Sequence, residues 1–101
     1  ENDMKNSAKS LLDYAVKAGY KVAVRDHGYD DILQKSTTSW KKVKDAIEST
    51  GMVEMVIRDT EAKKTVGVAL VITHDAVDEW VSDFGCNSFM DGWWNSFTAD
   101  W

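Results

Sequence analysis

At 101 residues, 44% hydrophobic and 29% charged, the chain has the length of one domain and enough apolar mass for a core with little margin. A lone cysteine, Cys86, excludes an internal disulfide, and no apolar run approaches the roughly 18 residues of a membrane-spanning helix. The net charge of −5 is uneven: residues 1–50 hold nine Lys/Arg and eight Asp/Glu, residues 51–101 three and nine, so the second half should repel nucleic acid and anionic membrane.

The first predicted element is a helix over Asn6 to Tyr20, with Ala8, Leu11, Leu12, Ala15 and Val16 on one stripe and Asn6 or Ser7 as its cap. Lys21 to Arg25 alternates as a strand with Val22 and Val24 on one face, Asp26-His27-Gly28 is a turn, and Tyr29 to Lys35 is the expected return strand. A second helix is predicted over Ser36 to Thr50, capped by Ser36, Thr37 or Thr38 and buried through Trp40, Val43 and Ile47. Its three lysines, Lys41, Lys42 and Lys44, read as a solvated face.

Met52 to Arg58 and Thr65 to Ile72 are the clearest strands, joined by the polar turn Asp59 to Lys63 as an antiparallel hairpin. Val66, Val68, Leu70 and Ile72 share one face of the second strand; Gly67 and Ala69 lie on the other, where a helix can approach closely. A third helix is expected over Asp75 to Phe84, since Val77, Trp80, Val81 and Phe84 fall at i, i+3, i+4 and i+7 behind an Asp75 cap. A last short helix begins after Asn87 or Ser88 and carries Phe89, Met90, Trp93, Trp94 and Phe97. The order α-β-β-α-β-β-α-α predicts a single α+β domain over residues 1–101, with a two-layer architecture: a four-stranded, mainly antiparallel sheet with helices packed on one face.

The strings VAVRDHG, LQKST, AIEST, MVIRD, VGVALVI and DEWVSDF, spread over residues 20–84, give the chain a resemblance to small accessory proteins encoded by bacteriophages and prophages. The resemblance implies a setting, the cytoplasm of an infected bacterium, and supplies no catalytic residues. The polar N-terminus has no apolar stretch of the kind a secretory signal needs, which agrees with a cytoplasmic protein.

No catalytic constellation stands out. His27 and His74 have no partners at metal-ligand spacing, no glycine-rich phosphate loop is present, and no cofactor is expected. The chain therefore reads as a non-enzymatic protein. The feature that asks for a function is the segment FMDGWWNSFTADW, residues 89–101, with three of the five tryptophans and no lysine or arginine. From Asp75 onward there are six acidic residues and no basic one.

Asp91, Trp93, Trp94, Phe97, Asp100 and Trp101 are the candidate protein-interaction residues, an aromatic patch with an acidic rim suited to a basic surface on a host protein. Adjacent helical residues point about 100° apart, so one of Trp93 and Trp94 faces inward while the other faces out. Trp94 and Trp101 are expected to be more exposed than Trp40 and Trp80. Three other readings stay open: a small enzyme or ligand-binding domain with a pocket near His74 and Cys86, an inhibitor mimicking nucleic acid with its carboxylates, and a homodimer through the C-terminal aromatics.

Overall fold

A computed structural model describes residues 5–29 and 31–99. The elements run α1 (Ser7–Lys17), β1 (Lys21–Asp26), β2 (Ile32–Thr37), α2 (Trp40–Thr50), β3 (Met52–Asp59), β4 (Lys64–Ile72), a 3₁₀ turn (Val77–Glu79), β5 (Val81–Phe84) and α3 (Ser88–Phe97). The strands form one antiparallel sheet in the order β2-β1-β3-β4-β5. The fold is α+β, as the sequence predicts, but among the described residues there are five strands rather than four and three α-helices rather than four.

The difference lies in residues 75–84. The stripe Val77, Trp80, Val81 and Phe84 fits a helix, yet only Val77–Glu79 turns, and Val81–Phe84 extends along the edge of β4. A ten-residue helix is marginal by itself, whereas the strand satisfies backbone groups that β4 would leave open. Trp80 and Val81 still reach the core, so the apolar residues are buried by either route. Ser7 fixes the path: its buried hydroxyl accepts a hydrogen bond from the Val81 amide at 2.8 Å and donates to the Val77 carbonyl at 3.2 Å.

Two boundaries also move. Ser39, not Ser36, Thr37 or Thr38, caps α2, accepting from the Lys42 amide at 3.3 Å, while Thr37 Oγ1 accepts from the Ser39 amide. Residues 36 and 37 thereby stay in β2, which is displaced toward the C-terminus from its predicted span. Gly51 closes α2 with φ +83°, a conformation that disfavours other residues. The lysines of α2 are partly engaged within their own helix, Lys41 with Asp45 at 2.9 Å and Lys44 with Glu48 at 3.6 Å.

All three helices pack on one face of the sheet. Val22, Val24, Val53, Met55, Ile57, Ala69 and Val71 point into this layer and meet Leu11, Leu12, Val43, Ile47, Met90, Trp93 and Phe97. Gly67 lets α3 come close to the sheet, since a Cβ there would lie 2.7 Å from Met90 Sδ. Among the described residues no helix lies over the other face of the sheet, and Val56, Val68 and Leu70 look out from it in register.

Candidate protein-interaction surface

Helix α3 is anchored through its N-cap side chain. Asn87 Oδ1 accepts from the Met90 amide at 2.9 Å, and Asn87 Nδ2 donates to the Val66 carbonyl of β4 at 3.0 Å. With Met90 seated over Gly67, the i, i+3, i+7 series Met90, Trp93 and Phe97 must face the sheet. Trp93 is 0% exposed and Phe97 1%; their rings stack with centroids 5.5 Å apart, and Trp93 Nε1 donates to Ser10 Oγ at 3.2 Å.

Trp93 and Phe97, placed by sequence reasoning in the surface patch, are therefore core residues. What they do for the surface is indirect. Trp94 leans on them and on Phe84, with ring centroids 5.8, 6.3 and 5.7 Å away. Trp94 is nonetheless 36% exposed, against 7% for Trp80 and a half-buried Trp40. Asp91 is exposed one turn before Trp94, on the same side of α3. Asp100 and Trp101 lie outside the described residues.

The exposed side of Trp94 opens into a hollow of about 230 Å³ lined with Asp75, Asp78, Glu79, Val81 and Ser82. No lysine, arginine or histidine is among these residues. In the sequence Asp75, Asp78 and Glu79 read as the first turn of a helix, with no sign that they lie beside Trp94. The run of acidic residues without a counter-charge was the available signal. What brings it beside Trp94 is the extended path of Val81–Phe84, which turns the preceding loop back toward α3.

His74 precedes β5 and Cys86 follows it. Both are exposed. Among the described residues no group of three His, Cys, Asp or Glu side chains is arranged to hold a metal ion, and no helix is long and apolar enough to cross a membrane.

A different charged cluster sits on the uncovered sheet face. Arg25 Nε donates to Glu54 Oε1 at 2.8 Å and His27 Nδ1 lies 3.2 Å from Glu54 Oε2. Partial burial pushes the Glu54 carboxyl up, but hydrogen bonds and positive charge from Arg25 and His27 outweigh it and hold it below its ordinary value.

Comparison of the chain with protein-family models, with curated proteins and with solved structures returned no match.

Proposed function

We infer that the protein is a small non-enzymatic binding module, a phage-type accessory factor that docks on a basic surface of a host protein. The reading is carried by one arrangement: a buttressed, partly exposed Trp94 forming a wall of a hollow whose titratable residues, among those described, are all acidic. A lysine or arginine side chain entering this hollow meets the indole face and three carboxylates together. A cation over an indole is worth about 0.5–2 kcal/mol, more as water is excluded. Because Trp93, Phe97 and Phe84 already fix the Trp94 ring, little side-chain entropy is lost when the partner arrives.

The role of Asp91 is to extend the negative rim, which speeds encounter with a basic partner more than it adds affinity. A cation-presenting host surface fits this arrangement; a phosphate backbone does not, for the carboxylates would repel it. The test is affinity capture from bacterial lysate with wild type, Trp94→Ala, Asp78→Lys and Asp91→Lys, followed by titration of the captured protein. Loss of one specific partner in Trp94→Ala and Asp78→Lys, with a salt-sensitive weakening in Asp91→Lys, supports the reading. Retention of every specific partner by all three variants rules out this surface.

A further inference from the structure

We propose that the uncovered face of the sheet is a self-complementary docking surface whose occupant is a second copy of this chain. The strand registers place its outward residues in rows. Lys21, Arg58 and Thr65 form one row, Ala23, Val56 and Val68 the next, and Arg25, Glu54, Leu70 and Asp83 the third. The middle row is apolar. Ala23 and Val56 are only 8% and 7% exposed, yet they lie outside the helix-side core and are shielded by their neighbours on the open face. Ile32 and Met52, at 58% and 40% exposure, add apolar area at its margins.

The charge on this face is divided. Over β2, β1 and β3 lies a groove of about 360 Å³ whose charged residues, among those described, are Lys35, Arg58 and Arg25, the last already paired with Glu54; Ser36 and Thr65 add hydroxyls. Lys21 stands directly opposite Arg58 across the strands, a like-charge pairing that costs stability in an isolated sheet. Over β3, β4 and β5 lies a second hollow of about 320 Å³ lined by Val68, Leu70, Asp83 and Glu54, the last held by Arg25 and His27, so that Asp83 supplies its outward charge.

A phosphate-bearing ligand would suit the groove but be repelled by the hollow, and a basic peptide the reverse. Both halves are answered together by a surface that carries the same two halves. A twofold axis in the interface plane, perpendicular to the line joining groove and hollow, lays each copy's groove on the other's hollow and keeps the apolar row central. The strands of the two sheets then cross steeply, one of the two ways in which sheets stack. Five strands about 4.8 Å apart and about 20 Å long give about 480 Å² of flat footprint per copy. Two such footprints approach the about 1,000 Å² at which specific interfaces begin, so the dimer is reversible rather than permanent. Trp94 and its hollow sit toward the helix layer, away from this face, so the dimer presents two copies of the other surface and stands or falls independently of it.

The experiment is sedimentation over a wide concentration range for wild type, Arg58→Glu, Asp83→Lys and an equimolar mixture of the two variants, with circular dichroism confirming that each is folded. Wild type should show a monomer–dimer equilibrium, and each variant alone should dimerise at least about tenfold more weakly. In the mixture, the reversed groove of one chain meets the reversed hollow of the other while the second contact stays native, so dimers should return. A monomeric wild type at every concentration overturns the proposal. So does a dimer that neither variant weakens, or a mixture that stays as monomeric as its components.

Discussion

Gly92 of α3 lies directly against the Tyr14 hydroxyl of α1: a Cβ at position 92 would stand 2.5 Å from that oxygen but 3.6 Å from the ring carbon that bears it. In sequence Gly92 reads as a weakness in a helix, costing about 1 kcal/mol relative to alanine. In the fold it is the point at which two helices approach through one side-chain atom.

The relationship sets the sign of two substitutions. Gly92→Ala alone should destabilise the protein by about 1–2 kcal/mol in denaturant unfolding, because the overpacking outweighs the helix gain. In a Tyr14→Phe background the obstructing oxygen is gone, the ring carbon is at ordinary contact distance, and the same Gly92→Ala change should stabilise by about 0.5–1 kcal/mol. Equal effects in both backgrounds would show that the hydroxyl is not what requires glycine.

The adjacent tryptophans should separate cleanly. Trp93 is fully buried and bonded to Ser10, so Trp93→Ala should cost about 3–5 kcal/mol. Trp94 is exposed on one side, and Trp94→Ala should cost less than half as much. In single-tryptophan variants retaining one indole, acrylamide should quench Trp94 several times more readily than Trp93. Comparable quenching would mean that the exposed wall of the acidic hollow is not there.

How much of this was written in the chain differs by element. The first helix, the strands β1, β3 and β4 and the last helix follow from periodicity because each has one apolar stripe at one spacing. Residues 77–84 satisfy a helical spacing equally well, and only the open edge of β4, a partner distant in sequence, decides for a strand. The Trp93/Trp94 split was legible from the angle between adjacent helical residues, and Met90, Trp93 and Phe97 at i, i+3 and i+7 already implied a buried Phe97. The acidic wall beside Trp94 was not legible, because it depends on how the loop before β5 folds back. Gly67 and Ala69 against a helix were readable from alternation alone; the charged division of the open face needed the register that pairs Lys21 with Arg58.

Glu54 predicts a pH dependence. Its carboxyl is held below the ordinary 4.5 in the folded chain, so it adds stability that is fully present above that value and is lost as pH falls through its folded value. Glu54→Gln removes the ion pair with Arg25 and should be less stable than wild type at neutral pH. The gap should close as pH drops below 4.5, since protonated Glu54 resembles glutamine. Urea unfolding of both proteins at a series of pH values checks this; a gap that stays constant or widens on acidification contradicts the assigned pairing.

Ser7 should control β5 from a distance of more than seventy positions in sequence. Its hydroxyl is 1% exposed and is the hydrogen-bond acceptor for the Val81 amide while donating to the Val77 carbonyl. Ser7→Ala keeps the helix-forming backbone but leaves a buried amide without its partner, at a cost of about 1–3 kcal/mol. The effect should be local before it is global, since β5 is four residues long and lies at the edge of the sheet. Amide hydrogen exchange should therefore speed up at residues 77–84 in Ser7→Ala while the central strands β1 and β3 stay protected. Because the same segment carries Asp78 and Glu79 to the Trp94 hollow, Ser7→Ala should also weaken the proposed partner binding without touching any residue that lines it. Uniform acceleration across the sheet would instead assign Ser7 to global stability alone.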